Sequence, residues 1–251
     1  MSRTDLRVLV TGGARGIGAA ICEAFAQEGA RVAINDLPSA SIEAETVLAR
    51  CSGSAAGSIW IPGDLTSVGE CYRVVAHASD QLGGLDVLVN NAGGPFGHVA
   101  FDETSEEHFD HVLSVNLKAA FFLSQAAAPY LRISGRGRIV NLTSELFFLG
   151  HPDLAAYTAA KGGIVGLTRS LALALAPSIT VNAVAPGPIA TERLMQERWF
   201  IESGDEELAK VPLARWGDPR DVAQAVCFLA GQEAGWITGE VLNVNGGLVM
   251  P

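Results

Sequence analysis

Short runs rich in apolar and β-branched residues alternate with longer stretches of helical spacing along the chain. No other feature narrows the possible folds as much. The runs are LRVLVT at 6–11, RVAIND at 31–36, SIWIPG at 58–63, LDVLVN at 85–90, GRIVNLT at 137–143 and ITVNAVA at 179–185, with EVLNVN at 240–245 as a last strand. Helical spacing occupies 16–29, 67–82, 105–128, 153–176 and 219–230. Strands linked through helices are expected to lie parallel, and runs that are continuously apolar suit a sheet covered by helices on both faces. The expected fold class is α/β, with 1–251 as a single domain, because no composition shift, internal repeat or low-complexity tract divides the sequence. One stretch, 187–215, leaves the strand–helix beat: Pro188, Glu192, Arg193, Met195, Trp199, Phe200 and Gly204 mix charge, aromatics and breakers. An insertion of that length reads as a substrate lid over 188–210, with Pro188 and Gly204 as hinges.

Composition excludes several classes. At 49% hydrophobic and 18% charged, the chain can bury a large core and is neither disordered nor a disulfide scaffold. Its net charge of −10 repels phosphate backbones and anionic lipid surfaces, so neither nucleic acid nor a membrane is an expected partner. No apolar run reaches the roughly 18 residues of a bilayer-spanning segment. Cys22, Cys51, Cys71 and Cys227 are scattered without CxxC or metal-ligand spacing, which reads as reduced thiols, a cytoplasmic location and no metal. The mean hydropathy of +0.27 fits a large core or a subunit interface.

Thr11-Gly12-Gly13-Ala14-Arg15-Gly16-Ile17-Gly18 follows the first strand and opens the first helix. Glycines there permit a tight turn and close approach of a pyrophosphate, and a helix N-terminus favours negative charge. The spacing is G-x-x-x-G-x-G rather than the common G-x-G-x-x-G, so a structural glycine-rich turn stays open on this motif alone. Asp36 ends the second strand, where a carboxylate can accept hydrogen bonds from ribose hydroxyls; its alternative is a helix N-cap, which Ser39 or Ser41 could also supply. Tyr157 and Lys161 are four apart in a helical stretch and share a face. An ammonium beside a phenol favours the phenolate, which suits proton exchange with an alcohol or carbonyl oxygen near neutrality.

With these residues assembled in order, the chain resembles the short-chain dehydrogenase/reductase family over essentially its whole length. The match comprises Thr11-Gly12-x-x-x-Gly16-x-Gly18, Asp64 after the third strand, Asn90-Asn91-Ala92-Gly93 after the fourth, Asn116 in Val-Asn-Leu, Ser144, Tyr157-x-x-x-Lys161 and Pro186-Gly187. The resemblance implies a doubly wound Rossmann-type domain with a seven-stranded parallel sheet ordered 3-2-1-4-5-6-7, a homotetramer, and hydride transfer between a nicotinamide cofactor and a secondary alcohol or ketone. It implies Tyr157 as general acid/base, Lys161 as the ribose contact that lowers the tyrosine pKa, Ser144 as the hydrogen-bond partner of the substrate oxygen, and Asn116 as the anchor of a water in a proton relay. Asp64 and Leu65 are implied at the adenine, Asn90, Ala92 and Gly93 along the cofactor, and Ile189 and Thr191 after Pro186-Gly187 at the nicotinamide and phosphates. Cyclic diols, sugars or polyols, steroids and 3-oxoacyl thioesters are all family substrates. An epimerase or dehydratase on the same scaffold, or a dinucleotide-binding regulator without turnover, are the alternatives.

The cofactor choice turns on two residues. Arg15 stands where family members that use NADP carry a basic residue, whereas Asp36 favours the free ribose hydroxyls of NAD and repels a 2′-phosphate. Repulsion is expected to decide for NAD. Among the other residues, His77, His108 and His111 read as solvated, His98 and His151 as loop residues near the site, and Thr143 as a strand residue beside Ser144. Glu145, Phe147 and Phe148 are placed to line the pocket, core packing being the alternative for the phenylalanines. Trp216 and Trp236 read as packing or subunit contacts, and Asn182 as a partner of backbone groups near the active-site loops. The apolar segment Val241 to Pro251 needs cover, within its own subunit or from another.

Overall fold

The computed structural model describes residues 5–52 and 57–250; residues 1–4, 53–56 and 251 of the expected domain and tail lie outside it. In chain order the first half comprises β1 (Arg7–Thr11), α1 (Gly16–Gln27), β2 (Arg31–Asp36), α2 (Ser41–Ser52), β3 (Ile59–Pro62), α3 (Val68–Leu82), β4 (Val87–Asn90) and α4 (Glu106–Leu113). The second comprises α5 (Ala119–Ser134), β5 (Gly137–Leu142), α6 (Leu146–Leu149), α7 (Ala155–Leu175), β6 (Ile179–Pro186), α8 (Glu192–Met195), α9 (Arg198–Leu208), α10 (Pro219–Ala230) and β7 (Val241–Val244). The strands form one parallel sheet in the expected order β3-β2-β1-β4-β5-β6-β7.

Successive strand residues point to opposite faces, so each strand feeds two cores. Val8, Val10, Val32, Ile34, Val87 and Val89 pack with Ile21, Phe25 and Val226 of α1 and α10. Leu9, Ala33, Leu88 and Ile139 pack with Val74, Val75, Leu123 and Leu131 of α3 and α5. Each fully buried aliphatic side chain contributes about 1.5–3 kcal/mol. That double demand explains the continuous apolar runs. A polar thread also crosses the interior: Asn90 donates to Asn141 Oδ1 at 2.8 Å and to Ser124 Oγ at 3.1 Å, and Asn141 donates to Thr168 Oγ1 at 2.9 Å. It joins α5, β4, β5 and α7 just below the carboxyl edge of the sheet. At the amino edge, the buried carboxylate of Asp86 accepts from the backbone and side chain of Arg7 at 2.8–2.9 Å and from Arg136 at 3.1 Å. Burial opposes that charge, but the two guanidinium groups outweigh it and hold the carboxyl below its usual range.

Several elements depart from the sequence reading. The expected helix at 105–128 is α4 and α5 joined by a π-helical turn, Ser114–Lys118, where the Ala119 N–H donates to the Ser114 carbonyl, and α5 continues to Ser134. Helix α2, which the candidate caps Asp36, Ser39 and Ser41 implied but no helical spacing delimited, has a buried stripe of only Ala44, Val47 and Cys51 among polar neighbours. The 187–215 stretch is not irregular but holds α8 and α9, and its neck is closed by the Ile189–Gly217 bridge, with Ala190 N–H donating to Gly217 O at 2.8 Å and Gly217 N–H to Pro188 O at 3.0 Å. Gly204 lies inside α9, so it is not a hinge between elements. Asn182 does bond backbone groups, Ile237 O and Glu240 N, but these precede β7 at the amino edge, away from the active-site loops. All four cysteines are free and buried, and burial pushes the Cys51 and Cys71 thiols up to about 11, leaving them protonated. Among the described residues no helix is long and apolar enough to cross a membrane.

Candidate active site

The carboxyl edge of the sheet carries the site, centred where β1 and β4 diverge. Helix α1 begins at Gly16 with no side-chain cap at Arg15 and no acidic residue in its first turn, so its leading N–H groups and dipole are available to an anion. A Cβ on Gly18 would lie 2.0 Å from the Gly12 carbonyl oxygen and 2.6 Å from Asn91 Nδ2, so only glycine lets the helix start this close to the turn. Asn91 fastens that turn, donating to Thr11 O at 2.9 Å and Gly12 O at 3.0 Å, while Thr11 Oγ1 accepts the N–H groups of Asn91 and Ala92, both at 3.1 Å. The loop after β4 is thereby bolted to the turn after β1. The sequence reading quoted Asn91 and Thr11 in their motifs but gave neither this task. Ile17 packs on the core below, and the Thr191 side chain hangs over Gly16, 3.1 Å from where a Cβ would stand.

At the end of β2, Asp36 Oδ2 accepts from Ala14 N–H at 3.1 Å and Oδ1 from Leu37 N–H at 2.8 Å, which fixes the carboxylate beside the glycine turn. Arg15 is paired with Glu43 at 2.8 Å, both side chains about half exposed. Asp64, exposed at the end of β3, accepts from Thr66 N–H at 3.0 Å, and Leu65 is buried beneath it. Asn90 spends its amide group in the core thread, and its Oδ1 is sealed without a partner, so its outward offering is backbone.

Asn116 sits in the π-helical turn, a local widening that recurs at functional sites. Its amide grips Gly94 twice, accepting from N–H at 3.0 Å and donating to O at 2.9 Å, and also donates to Val112 O at 2.9 Å. Gly93, with φ +146°, passes so near that a Cβ would stand 2.3 Å from Asn116 Oδ1. Asn116 therefore holds the loop after β4 with its side chain.

Ser144, Tyr157 and Lys161 converge. Thr143 Oγ1 donates to Lys161 O at 2.7 Å, which commits that hydroxyl to α7 and leaves Ser144 as the hydroxyl of the pocket. Ser144 Oγ donates to Glu145 Oε2 at 3.1 Å, and its hydroxyl acts to lower the pKa of the Tyr157 phenol. Lys161 Nζ donates to Leu142 O at 2.8 Å and lies 5.5 Å from the centre of the Tyr157 ring; burial brings its pKa down to about 8. Burial, and then the nearby Glu145, push the Tyr157 phenol up to about 12, while Ser144 and Arg193 of α8 pull the other way. Ser144 and Arg193 thus add to the support for the phenolate that the resemblance implies for Lys161. The sequence placed Glu145 only as a residue lining the pocket and gave Arg193 no task beyond the lid stretch, since their effect on Tyr157 cannot be read from position in the chain.

Pro186 O accepts Glu145 N–H at 3.0 Å, Gly187 N–H donates to Val244 O at 2.9 Å, and Ile189 has its side chain in the core, leaving backbone to face a ligand. Thr191 caps α8 by accepting Leu194 N–H at 3.2 Å. On the rim, the His98 and His151 rings meet edge to face at 5.3 Å, and with Asp153 they are the one grouping of metal-ligand type among the described residues. A separate cavity beyond Gly187 and Ile189, lined by Val211, Leu213 and Asn245, includes none of Ser144, Tyr157 or Lys161.

Comparison with known proteins extends these observations. A family model described as enoyl-(acyl carrier protein) reductase, adh_short_C2, matches residues 12–249. The 3-oxoacyl-[acyl-carrier-protein] reductase FabG of Staphylococcus aureus is 39% identical over 243 residues, covering 96% of this chain and 97% of the relative. The "Probable galactose dehydrogenase GalD" of Rhizobium meliloti is 41% identical over 253 residues, covering 97% and 95%. Among solved structures, a short-chain dehydrogenase/reductase from Serratia marcescens superposes with a TM-score of 0.91 at 34% identity, covering 99% of both chains.

Proposed function

We propose, from the premise that this chain belongs to the short-chain dehydrogenase/reductase family and is one of its oxidoreductases, that it transfers hydride between NAD(H) and a secondary alcohol or the corresponding ketone. The observation that carries this reading is the convergence of Ser144, Tyr157 and Lys161 at the carboxyl edge of the sheet, beside an uncapped helix N-terminus. A nicotinamide dinucleotide supplies the hydride acceptor or donor. The chain supplies orientation and one proton.

The first turn of α1, with Gly12, Arg15, Gly16, Ile17 and Gly18, fits a pyrophosphate, because its N–H groups lack side-chain caps and its glycines leave room where a Cβ would not fit. Asp36 receives the ribose hydroxyls, Asp64 and Leu65 border the adenine, and Asn90, Ala92 and Gly93 line the path to the nicotinamide end, where Pro186, Gly187, Ile189 and Thr191 close it. Ser144 holds the substrate oxygen and Tyr157 exchanges its proton. In ketone reduction the phenol, kept protonated by burial, is the acid. In alcohol oxidation it must first lose its proton, and the Lys161 ammonium near its ring and Arg193 favour that state. Lys161 also takes a ribose hydroxyl, and Asn116 keeps the Gly93–Gly94 strip in place.

NAD is favoured over NADP. The carboxylate of Asp36 is tied to two backbone N–H groups and cannot retreat from a 2′-phosphate, whereas an exposed pair such as Arg15–Glu43 contributes only about 0–1 kcal/mol. The 188–210 segment acts as a lid pivoting at its Ile189–Gly217 neck. A cytoplasmic homotetramer completes the reading, supported by the fully exposed Trp236 and by Phe121 and Leu173, exposed on α5 and α7; a stable 26.2 kDa monomer in sedimentation at micromolar concentration would remove that part.

The test is Tyr157→Phe assayed by reduced-nicotinamide absorbance over a panel of alcohols. Turnover should fall by about two to four powers of ten with NAD affinity nearly unchanged. More than half of wild-type turnover in the variant, with chemistry rate-limiting, would refute the role. Substrate conversion by the wild type without net cofactor reduction would move the reading to an epimerase or dehydratase.

A further inference from the structure

One buried charge has no task in the proton chemistry. Glu145 follows Ser144, is 8% exposed, and is oriented by its N–H bond to Pro186 O at 3.0 Å. One carboxyl oxygen accepts from Ser144 Oγ at 3.1 Å. A carboxylate oxygen can accept more than one hydrogen bond, and neither Glu145 oxygen is among the sealed, partnerless polar atoms of the described residues. No lysine or arginine of the described residues pairs with it; the titratable group that feels its charge is Tyr157 of α7, which Arg193 of α8 and Lys161 also act on or approach. A buried carboxyl without a cation is costly, and an apolar side chain would occupy this place without that cost.

Resting on the dehydrogenase reading above, we propose that Glu145 is the substrate-recognition carboxyl for a hydroxyl on the carbon next to the reacting one. The substrates are then vicinal diols, polyols or sugars rather than 3-oxoacyl thioesters. The spacing fits. The two oxygens of a vicinal diol stand about one hydrogen-bond length apart, roughly 2.8 Å. Ser144 Oγ and Glu145 Oε2, an oxygen with lone pairs left to accept a second hydrogen bond, are 3.1 Å apart. A diol whose reacting oxygen rests on Ser144 brings its neighbouring hydroxyl to Glu145, which accepts its proton in a hydrogen bond. A 3-hydroxyacyl thioester offers methylenes on both sides of the carbinol and leaves the carboxyl unmatched, and a site built to bond a hydroxyl rejects analogues that lack it.

The experiment compares kcat/KM for cis-1,2-cyclohexanediol and cyclohexanol with NAD, in wild type, Glu145→Gln and Glu145→Leu. Wild type should prefer the diol at least tenfold, mostly through KM. The preference should persist in part in Glu145→Gln, whose amide oxygen still accepts, and approach unity in Glu145→Leu. Equal use of both alcohols by the wild type, better use of a 3-hydroxybutyryl thioester, or a loss in Glu145→Leu shared equally by both alcohols each overturns the assignment. Should Glu145→Leu fail to fold, the wild-type ratio and Glu145→Gln decide. Infrared difference spectra give a second readout: the diol should shift the carboxyl stretch that is absent in Glu145→Gln, and no shift counts against the contact. A wild type that oxidises no alcohol at all overturns the dehydrogenase reading itself, an outcome distinct from failure of the Glu145 assignment alone.

Discussion

Replacing Glu145 by Gln should make the protein more stable at alkaline pH, by an amount that depends on pH in a defined way. Burial raises this carboxyl from its ordinary 4.5 to about 7 in the folded state, with the Ser144 hydrogen bond acting against that rise. For an acid whose folded pKa is raised, the unfolded chain ionises first. Stability is therefore intact below 4.5, is lost as pH climbs, and is fully lost above 7. At about 1.36 kcal/mol per pH unit between the two values, the full loss is about 3 kcal/mol. Gln has no proton to lose, and Ser144 Oγ, now 3.1 Å from the carboxylate, can accept from its amide. The stability difference between variant and wild type should therefore grow by about 2 kcal/mol between pH 5.5 and pH 8.5. Urea unfolding of both proteins at these two pH values, at one fixed protein concentration without ligands, measures it. A difference that stays the same at both pH values, or a variant less stable than wild type at pH 8.5, would refute the reasoning.

Three further outcomes are expected. Wild type should prefer NAD over NADP at least tenfold in kcat/KM, and Asp36→Ala should narrow that gap chiefly by improving NADP; steady-state kinetics showing equal use of both cofactors by the wild type would sink the role of Asp36. Asp86→Ala strands two guanidinium groups at the amino edge and should cost about 3–5 kcal/mol; kcat and KM of the folded fraction should not change, and an activity loss without a stability loss would contradict a structural role. The 188–210 segment should gain hydrogen-exchange protection when cofactor and an alcohol are both added, and identical protection with and without them would count against a lid.

The strands were legible because each serves two cores and so is written as a continuous apolar run, as in LRVLVT and LDVLVN. Their order in the sheet was not written locally; it came from the resemblance, and the structure has the same order. Tyr157 and Lys161 could be picked out because helical spacing puts them together, and Asp36 because it ends a strand. What escaped depends on facing and on long-range partners. Adjacency to Ser144 placed Glu145 at the pocket, but nothing in the sequence says that its carboxyl takes the Ser144 hydroxyl, and nothing near Lys161 says that its ammonium meets the Leu142 carbonyl. The extent of helix α2 escaped because so narrow a buried stripe among polar residues barely registers as a period, and α9 escaped because charges and aromatics alternate along it. The π-helical turn at Asn116 costs one extra residue in a helix, a shift that leaves no mark in the apolar pattern.

The junction of β1 and β4 has a bearing on how the chain stays assembled. Arg7 and Asp86 meet there across 79 residues of sequence, whereas β1 with β2, and β5 with β6, join segments separated by little more than one helix. The remote pairing closes the longer loop and so carries the larger entropic cost. The Asn91 bonds to Thr11 and Gly12 lie over the same junction. On the proposed reading, a dinucleotide bound across the turn after β1 and the loop after β4 would act as a clasp on the two halves of the molecule, and at a hundred times its Kd it would add about 2.7 kcal/mol to the folded state. Cofactor would then protect the fold as well as serve the reaction, and the amides of β1 and β4 are where hydrogen exchange should slow as cofactor is added.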